Sequence, residues 1–340
     1  MRRNNLRVSR AKYGPSGPED ESGRGLLALT GATGFIGGAV AAGLIGSGWR
    51  VRALARSPSK ASTLSRFGVE PILGDLADTR ALRSLIRDVD AIVHCAGAVR
   101  GITAEDFSRV NVAGVERIAR VASQMEPPPL FISLSSLAAR EPQLSPYAAS
   151  KRAGEDVLER VAAGMRWIAL RPPAVYGPGD REMLPLLLSM MRGFAPVLGS
   201  PDVRFSMLYV DDLVSAVQHC LASGDETRGV FELQDGRDGG YTWDAIVAAA
   251  AGVRGKPIRK VQFPKRLLYG LACVSRGWAR LRGTAPMLTP GKFRELTHTD
   301  WVCDNAAFSH ACGWTPRIEF AEGLRRTLAW HESVTQKTGD

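Results

Sequence analysis

Apolar and polar residues along the first half of the chain follow two alternating patterns. Short apolar runs with their following loops, which predict buried parallel strands, occupy residues 26–29, 50–56, 69–76, 91–97 and 130–136. Stretches between them, such as 38–45 and 105–123, carry apolar residues at helical spacing. Strands that alternate with helices in this way predict right-handed crossovers and a doubly wound parallel α/β sheet.

The two ends and the second half of the chain have a different pattern. Residues 183–198 are rich in Leu and Met and predict an apolar helix, and residues 318–332 predict an amphipathic helix. Residues 1–24 are Arg-rich and then rich in Gly, Pro, Ser, Glu and Asp, so they bury little apolar surface and predict a disordered tail.

A glycine-rich turn lies between the first predicted strand and the first predicted helix. It reads Thr-Gly-Ala-Thr-Gly-Phe-Ile-Gly over residues 30–37, which gives the spacing G-x-x-G-x-x-G. Glycines at such a turn let the backbone approach a pyrophosphate, and the helix N-terminus that follows offers unpaired N–H groups to it. The turn therefore predicts a dinucleotide site.

A tyrosine and a lysine four positions apart form the second chemical motif. Pro146 begins a predicted helix on which Tyr147 and Lys151 share one face, and Ser136 ends the preceding strand. A nearby ammonium favours the phenolate, so the spacing predicts a tyrosine pKa shifted toward neutrality and a phenol able to exchange a proton. Ligands of a parallel sheet bind beyond the carboxyl ends of its strands, where these residues converge with the glycine turn.

The residue after the second predicted strand bears on the choice of dinucleotide. NAD-binding units place a carboxylate near this position to bind the ribose hydroxyls. This sequence has Arg56 there, with Lys60 nearby, and a guanidinium suits a 2′-phosphate. The sequence predicts NADP, with NAD as the alternative.

Composition excludes several classes of protein. Of 340 residues, 45% are hydrophobic and 23% charged, with no uninterrupted apolar run of spanning length and no signal-like start, so a cytoplasmic globular protein is expected. The five cysteines are scattered, which predicts reduced thiols and no metal site.

The net charge of +10 is concentrated in one segment. Residues 254–294 lack Asp and Glu, and interleave basic with apolar residues. The basic residues are Arg254, Lys256, Arg259, Lys260, Lys265, Arg266, Arg276, Arg280, Arg282, Lys292 and Arg294. Such a segment can contact an anionic membrane surface peripherally, or be a solvated basic face; nucleic acid is not expected as a partner.

These motifs together resemble the extended, epimerase/dehydratase-like branch of the short-chain dehydrogenase/reductase superfamily. The resemblance covers about residues 26–330 and also rests on the stretches L-R-P-P-A-V-Y-G-P-G (170–179) and Y-V-D-D-L (209–213). It implies a Rossmann sheet over 25–182, to which 206–235 returns. A smaller, interleaved C-terminal substrate domain would comprise 183–205 and 236–332, with 333–340 as a tail.

The resemblance also implies roles for individual residues. Tyr147 would transfer the proton, Lys151 would hold the nicotinamide ribose, and Ser136 would orient the carbonyl, with Ser135 as its alternative. Asn111 would order the site or relay a proton. The implied cofactor-binding residues are Gly31, Thr33, Gly34, Phe35, Ile36, Gly37, Arg56, Asp75, Leu76, Ala96, Gly97, Tyr147, Lys151 and Pro173.

Three functions are compatible with this pattern. The first is an NADP-dependent oxidoreductase acting on an apolar, lipid-like ketone or secondary alcohol, since residues 286–317 resemble hydroxysteroid-dehydrogenase-like and ketoreductase members. The second is a nucleotide-sugar epimerase or dehydratase, although Arg204 is one residue out of the register that such members use and Leu137 to Arg140 contain no acidic pair. The third is a catalytically silent cofactor-binding subunit. The resemblance also admits a homodimer.

Overall fold

The computed structural model describes residues 24–197, 203–262, 269–270 and 289–338. The predicted N-terminal tail, apart from Arg24, and a large part of the basic segment 254–294 lie outside the described residues. Among the described residues, no helix combines the length and the apolar character needed to cross a bilayer.

Strands and helices alternate over most of the described ranges. The strands are β1 (Leu26–Thr30), β2 (Arg50–Ala55), β3 (Glu70–Leu73), β4 (Ala91–His94), β5 (Leu130–Leu134), β6 (Trp167–Arg171), β7 (Ala174–Tyr176), β8 (Phe194–Val197), β9 (Arg204–Phe205), β10 (Met207–Tyr209), β11 (Gly229–Glu232), β12 (Arg259–Gln262) and β13 (Asp300–Trp301). The helices with described bounds are α1 (Phe35–Gly46), α2 (Pro58–Arg66), α3 (Thr79–Ile86), α4 (Ala104–Asn111), α5 (Ala113–Ala122), α6 (Pro146–Val161), α7 (Leu184–Met191), α8 (Val210–Ala222), α9 (Trp243–Arg254), α10 (Pro290–Thr297), α11 (Ala306–Cys312) and α12 (Phe320–Thr338).

Seven parallel strands form the central sheet in the order β11-β6-β5-β4-β1-β2-β3. The order reverses at β1, so the strand order alone confirms the predicted doubly wound sheet and places a crevice at the carboxyl ends of β1 and β4. β11 comes from the second half of the chain, and α8 packs against α1. Residues 210–232 thus complete the sheet and one of its faces.

Both faces of the sheet are covered, which explains why its central strands β1, β4 and β5 are mostly apolar. On β1, Leu27 and Leu29 face one core cluster and Ala28 faces the other. The first cluster packs α1 and α8 against the sheet and the second packs α3, α5 and α6. A third cluster, which includes Tyr176 and Phe320, forms the interior of the C-terminal elements, whose short strands pair as β7–β10, β8–β12 and β9–β13.

Three predicted helices have different bounds in the structure. The predicted helix 183–198 ends at Met191, because Gly193 takes φ +102° and the apolar residues after it form β8. The predicted helix 105–123 is divided into α4 and α5 at Val112. The last helix, α12, continues to Thr338, so residues 333–338 are helical where a tail was predicted.

Candidate active site

The glycine turn has the steric requirements of a dinucleotide-binding turn. Gly31 takes φ +77°, and a Cβ there would lie 2.7 Å from the Ala96 nitrogen. A Cβ on Gly37 would lie 2.2 Å from the Gly31 carbonyl oxygen, so the start of α1 touches the turn. Gly34 is exposed at the N-cap of α1, whose first turn carries no acidic residue. The exposed helix N-terminus can therefore accept a phosphate.

The remaining predicted residues of the turn line its rim. Thr33, Phe35 and Ile36 are half-buried beside the exposed Gly34. A Cβ on Gly179 would lie 3.7 Å from the Phe35 ring, so the loop after β7 approaches the beginning of α1. This contact brings the loop of the Pro-rich motif to the dinucleotide crevice.

Arg56 lies where β2 ends and is exposed. The next residue, Ser57, caps α2, and its hydroxyl accepts a hydrogen bond from the Lys60 backbone at 3.4 Å. The first turn of α2 contains no acidic residue. A guanidinium, a helix N-terminus and a lysine are therefore adjacent, and this combination favours an anion.

The loops after β3 and β6 carry three more of the predicted cofactor-binding residues. Asp75 is exposed after β3, and its Oδ1 accepts hydrogen bonds from the backbone of Ala77 at 2.8 Å and of Asp78 at 3.2 Å. Leu76, which follows it, packs against Gly114. Pro173 is half-buried between β6 and β7.

The end of β4 is fixed by hydrogen bonds to its neighbours. Ala96 donates its backbone N–H to the Thr30 hydroxyl at 3.2 Å, which ties β4 to β1. A Cβ on Gly97 would lie 3.3 Å from the Lys151 ammonium and 3.4 Å from the Asn111 side-chain oxygen. Gly97 therefore lies beside two of the predicted catalytic residues.

Ser136 and Tyr147 lie next to each other. The Tyr147 phenol is half-buried near the Phe107 ring. Burial raises the pKa of Tyr147 above its ordinary value, while the Ser136 side chain and the charge of Lys292 act in the opposite direction. The expected lowering of this pKa is thus not what the structure shows, because desolvation of the phenolate outweighs the favourable contacts.

Lys151 points from α6 to the end of β5. Its ammonium donates a hydrogen bond to the Leu134 carbonyl oxygen at 2.8 Å. Burial lowers the pKa of Lys151 to about 8, and the nearby Cys95 and Glu155 side chains oppose this change. Near neutral pH the lysine is still mostly protonated, and it can hydrogen-bond a ribose hydroxyl.

Asn111 is buried at the break between α4 and α5. Its side chain accepts a hydrogen bond from the Ala98 backbone at 2.8 Å, and donates to the Ala98 carbonyl at 3.0 Å and to the Ser150 hydroxyl at 2.9 Å. It therefore ties the loop after β4 to α6, which is an ordering role. A Cβ on Gly154 would lie 2.3 Å from the Asn111 carbonyl oxygen, so the two helices are in close contact.

Ser135, the alternative to Ser136, has a different partner. Its hydroxyl donates to the buried carboxylate of Glu155, which also forms two hydrogen bonds with Arg171, at 2.9 and 2.6 Å. The Ser135–Glu155–Arg171 network lies behind the strand end that carries Ser136. Sequence analysis did not identify Glu155, because a single acidic residue on an amphipathic helix usually faces solvent.

This network gives a prediction about stability. Replacing Glu155 with Gln leaves the Arg171 guanidinium with only the more distant Glu232 carboxylate, 3.8 Å away, so we expect the free energy of unfolding to fall by about 3 kcal/mol. The matched control is Asp156→Asn on the same helix, which breaks the exposed pair with Arg152 and should cost well under about 1 kcal/mol. Urea denaturation of both variants measures the difference, and equal losses would contradict a buried structural ion pair.

A lysine from the C-terminal half also reaches the tyrosine. The Lys292 ammonium on α10 is 3.0 Å from the buried Glu295 carboxylate, and Glu295 accepts a hydrogen bond from the Ser145 hydroxyl at the N-cap of α6. Lys292 interacts electrostatically with Tyr147. No pattern in the sequence indicated a role at the tyrosine for this residue, which was predicted only as part of the basic segment.

The chain is similar in sequence to one protein family and to several characterised reductases. The family model described as "NAD dependent epimerase/dehydratase family" matches residues 27–233. The chain is 38% identical to a ceramide reductase of Caulobacter vibrioides, over 92% of this chain and 96% of the relative. It is 28% identical to a 2-alkyl-3-oxoalkanoate reductase of Stenotrophomonas maltophilia, over 89% and 98% of the two chains.

Solved structures show the same fold at lower identity. UDP-glucose 4-epimerase of Thermotoga maritima superposes with a TM-score of 0.69 at 20% identity, over 91% of this chain and 99% of the other. MoeE5, solved with UDP-glucuronic acid and NAD, gives a TM-score of 0.69 at 22% identity, over 91% and 99%. The glycine turn and the extent of these matches lead to one conclusion: the chain belongs to the NAD-dependent epimerase/dehydratase family, within the extended short-chain dehydrogenases/reductases, and is an NAD(P)-dependent enzyme.

Proposed function

We propose that this enzyme is an NADPH-dependent reductase that converts a ketone on a long-chain, ceramide-class lipid into a secondary alcohol. The observation that carries the proposal is that Ser136, Tyr147 and Lys151 come together at the carboxyl end of β5, where Ser136 acts on the Tyr147 phenol and Lys151 binds the last carbonyl of the strand. The similarity to a ceramide reductase along 92% of the chain supports the substrate class.

Each residue of the site has a separate role in this reaction. When bound, the reduced nicotinamide supplies a hydride to the carbonyl carbon. The Ser136 hydroxyl orients the carbonyl oxygen, Tyr147 gives that oxygen its proton, and solvent then reprotonates the phenolate. Lys151 holds the ribose and favours the phenolate. The balance is one ketone, one NADPH and one proton in, and one alcohol and one NADP⁺ out.

The preference for NADP rests on the end of β2. Arg56 and the N-terminus of α2 would bind the 2′-phosphate, with Lys60 one helical turn away. Asp75 would accept a hydrogen bond from the adenine amino group. The glycines at 31 and 37 fit a dinucleotide because a side chain at either position would occupy its crevice or displace the turn.

We also propose that the enzyme binds its lipid substrate at an anionic membrane surface, through the basic segment. Of the described basic residues in segment 254–294, Lys260 pairs with Asp244, Arg254 donates to the Met191 carbonyl and Arg294 donates to the Leu144 carbonyl. Contact with an anionic membrane would therefore depend on the exposed Lys256 and Arg259 together with residues outside the described ranges. The homodimer stays a prediction.

The experiment is a two-substrate assay of the purified protein. NADPH oxidation is followed with a ceramide whose secondary alcohol is replaced by a ketone, presented in phosphatidylglycerol or phosphatidylcholine vesicles. Because epimerisation consumes no net NADPH, conversion of UDP-glucose, the competing substrate class, is followed separately by chromatography of the sugar nucleotide. We expect turnover of the keto lipid and none of UDP-glucose, with faster turnover and co-sedimentation on phosphatidylglycerol. Turnover of the sugar nucleotide alone would replace this proposal with the epimerase function.

A further inference from the structure

α10 is docked on the beginning of the helix that carries the tyrosine. A Cβ on Gly291 would lie 2.9 Å from the Ser145 side chain and 3.2 Å from Pro146, so no larger residue separates the two helices there. Arg294 holds the same junction through a 2.7 Å hydrogen bond to the Leu144 carbonyl. The docking fixes the position of the α10 side chains relative to Tyr147.

Two charged side chains of α10 face this junction. Glu295 is buried, and it is held by the Ser145 hydroxyl on one oxygen and by the Lys292 ammonium on the other. Lys292 is about half exposed, at 48% of its side chain. Lys151, on the same helix as Tyr147, donates to the Leu134 carbonyl oxygen, whereas the charge of Lys292 acts on the phenol itself.

We propose that Lys292 is a positioning residue for proton transfer: its ammonium, anchored by Glu295, stabilises negative charge on the Tyr147 oxygen as the proton leaves. The inference rests on the proposed function of Tyr147. The charge of Lys292 favours the phenolate and the charge of Glu295 disfavours it, so the two residues of α10 act on Tyr147 in opposite directions.

Other charged groups complete the surroundings of the tyrosine. Lys151 lies on the same helix, with Cys95 and Glu155 beside its ammonium. From the segment before α7, Glu182 faces Lys292, and Glu182 is itself paired with Arg100. None of these groups is altered in the experiment, so their effect is common to all variants.

The test measures the titration midpoint of Tyr147 directly and needs no substrate. The protein is labelled with 3-fluorotyrosine, its ¹⁹F spectrum is recorded against pH, and the Tyr147 resonance is assigned by its loss in Tyr147→Phe. We expect Lys292→Met to move the titration midpoint upward by about one pH unit, and Lys292→Arg to restore it. Glu295→Gln, which keeps an oxygen for Ser145, should move the midpoint downward.

Arg294→Met is the matched control, because it removes a positive charge from the same helix while the Gly291 contact and the Glu295–Ser145 hydrogen bond still hold α10 on α6. Its midpoint should equal that of the wild type, and circular dichroism checks the fold of each variant over the pH range. An unchanged midpoint in Lys292→Met, or shifts of Lys292→Met and Glu295→Gln in the same direction, would overturn the inference. Because no turnover is measured, failure of the proposed lipid reduction is seen separately.

Discussion

Tyr147→Phe removes most of the keto-lipid reduction, by about a thousandfold, and leaves NADPH affinity within about twofold of the wild type. The substitution deletes only the phenolic hydroxyl, so the ring contact with Phe107 and the course of α6 are preserved. The carbonyl oxygen then has no proton donor, while the dinucleotide crevice is unchanged. Steady-state NADPH oxidation and fluorescence titration of NADPH measure the two effects.

The control for this variant is Tyr269→Phe, which removes a hydroxyl from an exposed tyrosine whose ring lies against Phe293. We expect its turnover to equal that of the wild type. Turnover of Tyr147→Phe within about tenfold of the wild type would show that another group donates the proton. Loss of NADPH binding together with turnover would instead indicate that the tyrosine contributes mainly to the cofactor site.

Arg56→Glu weakens NADPH binding by about a hundredfold and changes NADH binding little. The variant replaces a cation that can hydrogen-bond a phosphate with an anion that repels it, and a hundredfold loss corresponds to about 2.7 kcal/mol. NADH has no 2′-phosphate, and its ribose hydroxyls can be bound by the new carboxylate. Fluorescence titrations with both dinucleotides at one ionic strength give the ratio.

Arg66→Glu is the matched control, since it makes the same change of net charge at the other end of α2. It should alter NADPH affinity only slightly, because exposed charges this far apart are largely screened. Equal losses of affinity for NADPH and NADH in Arg56→Glu would mean that Arg56 supports the fold of the β2–α2 turn and does not bind the 2′-phosphate. A similar loss in both variants would indicate a general effect of charge.

The parts of the molecule that could be predicted from the sequence are those determined by local sequence patterns and short-range contacts. The glycine turn could be predicted because a Cβ at Gly31 or Gly37 would collide with backbone only a few ångströms away, and the Rossmann sheet could be predicted because strands buried on both faces must be apolar. The pairing of Tyr147 with Lys151 follows in the same way from the pitch of one helix.

The parts that were missed depend on contacts between distant segments. The run after Gly193 is apolar in every position, and periodicity cannot distinguish a helix from a strand in such a run. It forms the strand β8 because it pairs with β12, which lies much later in the chain. Glu155 is buried because Arg171 and Ser135 converge on it from two strands. Lys292 reaches Tyr147 because α10 docks on α6, and no local pattern encodes that docking.

The position of β11 at the edge of the sheet has a consequence for how the protein is made. β6 pairs with β11, and α1 is covered by α8, so both surfaces stay open until residues 210–232 have left the ribosome. During synthesis the intervening residues 183–205 emerge first, while an apolar strand edge and helix face are still uncovered. We therefore expect that β6 and α1 reach their final packing only after this later segment has emerged, so that the two halves of the enzyme complete their folding together.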